Sequence, residues 1–286
     1  DAKVIEVARA RLVGVADLLN AGLRYDVSNA LGTTSIEWET VSDMDPAAIS
    51  MSGVTPGQND RAVFTLKNVP LPIIHKDFNI NIRALEASRR TGDSLDTTQA
   101  ALCTRLVTEQ LESILFNGAT IVQNGSAIYG YTTAVNRNTG LLSGDWSTFP
   151  AITGENMLAD VISMIAAAEG DKMYGPYMLY VPTTYYNTML NDFKTSSDKS
   201  ILQRIKEIPQ IQDVKPTANL TGGINGEVLL IQMTSDVVDM VVGQQPSVVQ
   251  WESHGGMVVN FKVMSIMVPR IKDDANTQSG IAHFVV

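Results

Sequence analysis

The stretch Pro72–Gly118, PIIHKDFNINIRALEASRRTGDSLDTTQAALCTRLVTEQLESILFNG, changes periodicity twice and decides how this chain folds. Its beginning alternates polar and apolar residues, as a β-strand does. Pro70 and Pro72 confine the start of that strand to a sheet edge or a bend. Residues 83–92, RALEASRRTG, then predict a short helix that ends at Gly92, and a much longer helix follows.

The longer helix is predicted from its own start and stop signals. Asp96-Thr97-Thr98-Gln99 has the spacing of a capping box, in which the Asp96 side chain accepts from first-turn amides. Asn117-Gly118 is a typical C-terminal stop. About 20 residues at 1.5 Å each make a rod of roughly 30 Å, well above the mean helix length. The spacing predicts one buried face: Leu102, Cys103, Leu106, Val107, Gln110, Leu111, Ile114 and Leu115.

Two segments ahead of this stretch predict a helix and a β-ribbon. Residues 3–19 repeat apolar side chains at helical spacing, with Asp17 on the polar side. TTSIEWETV (33–41) and RAVFTLKNV (61–69) alternate as strands, with a long turn-rich segment between them. A two-stranded ribbon is marginal in water because it has little core of its own. The ribbon is therefore expected to lie against a partner.

The second half of the chain alternates helices and strands, which predicts an α/β unit over 154–242. Its helices are expected around residues 157–165, 183–193 and 200–207, and its strands at YMLYV, EVLLIQM and DVVDMVV. Long β segments, PSVVQWE, MVVNFKVMSIMV and IAHFVV, follow Gly243. This order predicts a second domain inserted between two parts of the first.

Composition limits the classes of protein to consider. The 286 residues are 44% hydrophobic and 18% charged, as in folded soluble chains, and no window approaches the ~18 uninterrupted apolar residues of a membrane span. The 21 lysines and arginines against 30 aspartates and glutamates give a net charge of -9, which argues against an overall nucleic-acid-binding surface. The single cysteine, Cys103, excludes an intrachain disulfide and is expected to be buried.

Motifs for catalysis and cofactor binding are missing from the sequence. It contains no G-x-S-x-G elbow, no P-loop and no G-x-G-x-x-G fingerprint. His75, His254 and His283 are far apart and outside metal-ligand spacing. His75 is expected to hydrogen-bond to backbone at a strand end, His254 to lie in a turn, and His283 to be a satisfied sheet histidine. No catalytic residue, cofactor or metal is predicted.

Three arginines in the short helix form a local basic strip. Arg83 and Arg90 are seven residues apart and share a face, with Glu86 between them and Arg89 beside them. An ion-paired helix surface and an intersubunit contact explain this strip about equally well. Direct nucleic-acid contact is the third alternative, because a glutamate interrupts the strip.

Several short motifs of the sequence resemble those of a known protein family. HKDF, LEASRRTG, LDT and FNG within Pro72–Gly118, together with DMVVGQQPSV at Asp239–Val248, are similar to shell proteins of the encapsulin type and of tailed-phage heads. The resemblance implies the α+β capsid fold named after phage Hong Kong ninety-seven, the HK97-like fold. Its parts would be an N-terminal arm (1–27), an extended β-ribbon loop (28–78), a peripheral domain with a long spine helix (79–150 and 243–286) and an inserted α/β apical domain (151–242).

The resemblance also implies a structural function without catalysis. The favoured expectation is a major capsid protein that assembles as pentamers and hexamers, in the bacterial host cytoplasm, into the icosahedral head of a virion enclosing double-stranded DNA. DNA would be contacted weakly and non-specifically, and decoration, scaffold or portal proteins are further candidate partners. The chain begins in the arm without an initiator methionine, as maturation cleavage would leave it, which favours this expectation.

Two alternatives stay open. One is an encapsulin shell that encloses cargo enzymes, and the other is a soluble α/β enzyme or ligand-binding protein. No asparagine motif matches Lys67 as a crosslinking partner, so a covalent crosslink is not predicted. The candidate subunit-interface residues are Lys67, Arg83, Glu86, Arg89 and Arg90.

Overall fold

The computed structural model describes residues 12–42, 44, 47, 49, 51, 61–91, 95–123, 125–194, 198–274 and 276–286, with the backbone alone at 89, 91 and 95–97. The helices are α1 Gly14–Asn20, α2 Ile82–Thr91, α3 Leu95–Asn117, α4 Gly154–Gly170, α5 Thr183–Thr188 and α6 Ile201–Lys206. The strands are β1 Arg24–Asp26, β2 Ser35–Val41, β3 Phe64–Pro70, β4 Ile74–Asn81, β5 Ala119–Gln123, β6 Ser126–Ile128, β7 Asn138–Leu141, β8 Tyr177–Pro182, β9 Ile211–Thr217, β10 Glu227–Gln232, β11 Val238–Ser253, β12 Val258–Ile271 and β13 Ile281–Val285.

A four-stranded sheet, in the order β1-β11-β12-β4, carries the long helix α3. Strands β11 and β12 form a long antiparallel hairpin, while β1 runs parallel to β11. The buried face of α3 joins residues of β11 and β12 in one apolar cluster that includes Val107, Leu111, Val241 and Val263. This cluster fixes the spine helix on the sheet.

A five-stranded sheet, in the order β7-β13-β10-β8-β9, forms a second layer with its own core. Helix α4 presents Met157, Val161 and Met164 to this sheet, and all three are buried. Trp146 lies in the same cluster, and its indole N–H donates to the buried Asp160 at 2.9 Å. The alternating helices and strands predicted here are confirmed in type, although the sequence missed β9.

The predicted ribbon is confirmed as the antiparallel pair β2 and β3. Alternation along β2 buries Ile36 and Thr40 and leaves Glu37 and Glu39 exposed, because successive side chains of a strand point to opposite faces. A small antiparallel hairpin of β5 and β6 follows the spine helix.

The spine helix was predicted nearly at its observed limits, but its buried face was partly wrong. Asp96 lies inside the first turn rather than ahead of it, since the helix begins at Leu95. Leu102 and Leu106 are exposed, while Thr104 and Thr108 are buried. The two threonines tolerate burial because their hydroxyls donate to the carbonyls of Ala100 and Thr104, at 2.7 and 3.0 Å.

Two further predictions about secondary structure need correction. DVVDMVV and PSVVQWE were expected as separate strands, but they form the single strand β11, with register shifts between Val242, Gln244 and Ser247. The helix expected over 183–193 ends at Thr188.

The predicted domain limit at 242/243 falls inside β11, and β13 pairs with β10 of the inserted segment. The domain limits therefore stay a prediction.

The N-terminal helix lies partly outside the described residues, which begin at position 12. Helix α1 confirms its second half, but Asp17 was wrongly placed on the polar side. Asp17 is buried, pairs with Lys215 of β9 and accepts from the Tyr180 hydroxyl at 2.8 Å. The apolar periodicity of the sequence does not place Asp17 on the buried face of the helix. Its side chain is nevertheless buried because Lys215 and Tyr180, both far along the chain, pair with its charge and hydrogen-bond to it.

Candidate subunit interface

The root of the ribbon, defined as Ile36–Trp38 paired with Lys67–Val69, is fixed to the body by a buried arginine. Arg270 of β12 lies with its guanidinium 5.7 Å from the centroid of the Trp38 ring and 4.5 Å from that of the Tyr25 ring. Its Nε and Nη2 donate to the Asp239 carboxylate at 2.8 and 2.5 Å. Such a bidentate pair with aromatic rings beside it positions the root as a rigid element.

Lys67, a predicted interface residue, adds a second anchor within its own chain. Its ammonium pairs with Asp273, whose other carboxylate oxygen accepts from the Asn136 side chain. The Lys67 side chain is about one third exposed. The structure therefore places Lys67 in a local polar contact beside the root, and its predicted role between subunits remains a prediction.

A cavity of about 330 Å³ lies beside the root. Two buried polar atoms on residues that line it, Trp38 Nε1 and Asn68 Oδ1, have no hydrogen-bond partner among the described residues. An unmade hydrogen bond at a buried group costs about 1–3 kcal/mol. The root is thus held by its charged contacts and its apolar residues rather than by complete hydrogen bonding.

The outer ribbon, defined as Val41 and Val63–Leu66, contrasts with the root. Phe64 is 63% exposed and Leu66 is 61% exposed, although both are large apolar side chains. The register places Val41 opposite Phe64 and Glu39 opposite Leu66, so these four side chains share one face. An exposed apolar patch beside charged residues is typical of a protein-binding surface.

Helix α2 presents most of the other predicted residues to solvent. Arg83, Glu86 and Arg90 are exposed, whereas Leu85 is buried against the sheet in a cluster with Ile80 and Phe261. For Arg89 the structure describes only the backbone, so the prediction for its side chain lies outside the described residues. The structure brings Arg83 and Arg90 together on one helix and leaves Lys67 on the ribbon.

A buried polar junction that the sequence did not reveal connects α1 to the spine. The amides of Val13, Gly14 and Val15 donate to the Glu112 carboxylate at 3.2, 2.6 and 3.3 Å. Burial raises the pKa of Glu112, although these amide hydrogen bonds act in the opposite direction. Nearby, burial raises the pKa of the Tyr180 hydroxyl that donates to Asp17. Glu112 thus serves as an acceptor that orients the arm.

Two of the three histidines lie in strands and one lies in a turn, and the cysteine lies in the spine helix α3. His283 is confirmed as a satisfied sheet histidine: its Nε2 lies 2.9 Å from Glu227 Oε2, and Arg137 Nε donates to its Nδ1 at 3.2 Å. His75 was predicted to bond to backbone, but its Nδ1 lies 3.2 Å from the Asp77 carboxylate. His254 lies in the turn between β11 and β12, as predicted, and Cys103 is buried. Burial raises the pKa of the Cys103 thiol.

Among the residues that the structure describes, no group of three or more His, Cys, Asp or Glu side chains is arranged to hold a metal ion. None of the helices in the described part of the chain has the length and apolar character needed to cross a membrane.

Comparisons with known proteins agree with this geometry. The chain is 26% identical to a type 1 encapsulin shell protein, EncA, of Myxococcus xanthus, over 94% of this chain and 86% of the other. It is also 26% identical to a diheme-cytochrome-encapsulin shell fusion protein of Kuenenia stuttgartiensis, over 84% of this chain and 62% of that longer protein. This chain is therefore similar over most of its length to two encapsulin-type shell proteins, although it spans only 62% of the second one.

Solved structures establish the fold. A virus-like particle from Pyrococcus furiosus matches with a TM-score of 0.68 at 19% identity, over 99% of this chain and 96% of that one. The capsid of Myoviridae phage XM1 matches with a TM-score of 0.70 at 13% identity, over 96% and 92%. The expected α+β fold is confirmed as HK97-like. Residues 5–284 match a single family profile, and the chain belongs to that family, DUF6260, which is described as a family of unknown function.

Proposed function

We propose that this protein is the structural subunit of a self-assembling, closed icosahedral shell. The observation that carries this proposal is the outer ribbon, whose Phe64 and Leu66 stay exposed in a chain with the HK97-like fold. Burying a large apolar side chain is worth about 1.5–3 kcal/mol, so a neighbouring subunit that covers this surface is stabilised by it. Many such contacts add up in a closed symmetric assembly.

The division of the chain follows from the same proposal. Residues 1–27 would be the arm, 28–78 the extended loop, and 151–242 the apical domain, with 79–150 and 243–286 as the peripheral domain. Strand β13 pairs in the five-stranded sheet with β10, which favours moving residues 281–285 to the apical sheet. The spine helix α3 and the hairpin of β11 and β12 would form the rigid centre of the peripheral domain.

A tailed-phage head around double-stranded DNA is one candidate for the shell. The capsid of phage XM1 shares this fold over 96% of the chain, which supports that candidate. In this case the subunit would assemble in the host cytoplasm and remain in the virion, with weak DNA contacts and with scaffold, portal or decoration proteins as partners.

An encapsulin-type compartment around cargo proteins is the second candidate. It is favoured by the two similar sequences, both of which are encapsulin shells, and by the net charge of -9, which disfavours close DNA packing against the subunit. Neither candidate gives the chain a catalytic role.

The contents of isolated particles test these candidates. Particles would be purified from expressing cells, treated with nuclease and identified by electron microscopy. The DNA and protein inside them would then be extracted. Nuclease-protected DNA supports the phage head, and co-purified protein without DNA supports the encapsulin-type compartment. A chain that remains a stable monomer at every concentration contradicts the shell proposal and favours a soluble binding protein or enzyme.

A further inference from the structure

We infer that the cavity beside the root binds a neutral small molecule with a carbonyl oxygen on an apolar body, and that this oxygen accepts from the indole N–H of Trp38. Every group of this site belongs to one chain, so the inference goes beyond the proposed shell and does not depend on it. The cavity of about 330 Å³ lies at the lower end of the range for small-molecule sites, about 300–1,000 Å³.

Three parts of the chain meet at the cavity. Trp38 of β2 and Lys67 of β3 lie directly opposite each other in the ribbon register, so their side chains share one face. Asn136, from the segment ahead of β7, and Asp273, from the segment after β12, line the same cavity. The Asp273 carboxylate accepts from Lys67 with one oxygen and from Asn136 with the other. One carboxylate therefore ties the ribbon to both segments at the cavity wall.

The unpartnered buried atom on this face is a hydrogen-bond donor. Trp38 Nε1 is buried and has no acceptor among the residues that the structure describes. An indole nitrogen can only donate, so a molecule that satisfies it must supply an acceptor. Asn68 Oδ1, the other unpartnered atom, belongs to the residue after Lys67 and thus to the opposite ribbon face. Trp38 alone therefore sets the polarity required of the ligand.

The charges at the cavity cancel, which selects a neutral ligand. Lys67 and Asp273 are paired with each other, so neither charge calls for a counter-ion. A charged ligand would be desolvated there without a partner of its own, which costs far more than burying a neutral polar group. A carbonyl oxygen fits better than a hydroxyl, because a hydroxyl brings a donor that would itself need an acceptor.

Apolar groups form much of the remaining wall. Val69, Ala134 and Pro269 line the cavity and are buried. Tyr129 and Val135 also line it but are exposed, so the cavity is open to solvent on their side. Water alone could satisfy the indole N–H, but it would leave this apolar wall hydrated. A ligand with an apolar body releases that water, which favours binding.

Saturation-transfer difference NMR on the full-length protein tests the inference, because it detects weak ligands on single chains and on particles alike. The probes are acetophenone, which has a neutral carbonyl, toluene, which has no polar atom, and the charged benzoate and benzylamine. Each is titrated into the wild type, into Trp38→Phe, which removes the N–H but keeps an aromatic ring, and into Ala134→Leu, which fills the cavity. Trp251→Phe, at an exposed tryptophan on β11, is the matched control. Circular dichroism checks that each variant is folded.

We expect the wild type to bind acetophenone about tenfold more tightly than benzoate or benzylamine, because each charged probe would bury its charge without a partner. Trp38→Phe should weaken acetophenone binding about fivefold and leave toluene binding unchanged, since only the ketone loses a hydrogen bond. Ala134→Leu should weaken the binding of both neutral probes, and Trp251→Phe should weaken neither.

Equal binding of acetophenone by the wild type and by folded Trp38→Phe overturns the inference, as does tighter binding of benzoate or a complete lack of acetophenone binding. Binding by dissociated chains but not by particles also overturns it, because a second copy would then fill the cavity. If Trp38→Phe does not fold, Ala134→Leu decides: unchanged acetophenone binding by that variant places the probe elsewhere and overturns the inference.

Discussion

The root and the outer part of the same β-ribbon differ in where their side chains find partners. The root contacts its own chain: Trp38 lies against Arg270, and Lys67 pairs with Asp273. The outer part leaves Phe64 and Leu66 exposed, although the strands that carry them are continuous with the root. One element is thus fixed in direction by its own chain at the root, while farther out it leaves large apolar side chains exposed.

The largest effect on the stability of the free chain is expected from Arg270→Ala at the root. Removing the guanidinium leaves the buried Asp239 with Lys272, at 2.7 Å, as its remaining cation, and removes the contacts with Tyr25 and Trp38. The free energy of unfolding should fall by about 3 kcal/mol, since breaking a buried pair strands a charge. Chemical denaturation of the unassembled chain measures it. The exposed Arg204→Ala is the control, and a loss below about 1 kcal/mol for Arg270→Ala would show that the root is not anchored there.

The outer ribbon should respond in the opposite way. Phe64→Ser with Leu66→Ser removes two exposed apolar side chains, so the free energy of unfolding of the unassembled chain should change by less than about 0.5 kcal/mol. Assembly should weaken by about 3 kcal/mol or more per contact, because both side chains are expected to be buried there. Light scattering measures assembly against concentration. A variant that unfolds more easily yet assembles normally would reverse the comparison.

A smaller effect is expected from Lys67→Met. This change removes the ammonium that pairs with Asp273, but the side chain is one third exposed and Asn136 still donates to the same carboxylate. The loss of unfolding free energy should be about 0.5–1 kcal/mol because solvent already screens the pair. A much larger loss in the assembled state than in the free chain would give Lys67 the intersubunit role predicted from the sequence.

The smallest effect is expected in the pH dependence of the buried junction at Glu112. Burial raises the pKa of this carboxyl above its ordinary value of 4.5, so the folded chain holds the proton more tightly than the unfolded chain does. The contribution of Glu112 to the free energy of unfolding is therefore fully present below pH 4.5, and it is lost as the pH rises through the pKa of Glu112 in the folded chain.

Wild type and Glu112→Gln should consequently differ in a pH-dependent way. The melting temperature of the wild type relative to the variant should fall as pH rises above 4.5, since the amide has no charge to desolvate. Calorimetry of the two proteins in parallel buffers measures this difference. If the melting temperature of the wild type rose relative to that of the variant as pH increased, the amide hydrogen bonds of Val13, Gly14 and Val15 would lower the pKa of Glu112 more than burial raises it. That result would contradict the prediction.

Local periodicity was sufficient to predict the ribbon, the short helix and the spine helix from sequence. These elements form because of side-chain patterns between residues that are close in the chain, and such patterns can be read from the sequence. Examples are the strands of 33–41 and 61–69 and the helix that ends at Asn117. The order of the remaining elements was also read from periodicity, and the resemblance of Pro72–Gly118 to shell proteins assigned that order to a fold.

The anchors could not be predicted, because each joins residues far apart in the chain. Lys67 and Asp273 are separated by 206 positions, and Asp17 and Lys215 by 198. The buried face of the spine was misjudged for the same reason: Glu112 resembles a solvent-exposed glutamate until the amides of the arm are placed against it. The strip of Arg83 and Arg90 was visible in the sequence, and the structure leaves both arginines exposed on α2.

The central claim is that the outer ribbon is covered by a neighbour while the root is covered by its own chain, and thiol labelling tests it most directly. Cys103 is the single cysteine of the sequence and is buried, so an introduced cysteine reports with little background. Leu66→Cys should react at least tenfold faster in dissociated chains than in assembled particles. Val69→Cys, at the buried root, should stay slow in both states. Equal fast labelling of Leu66→Cys in assembled and dissociated protein would contradict the account.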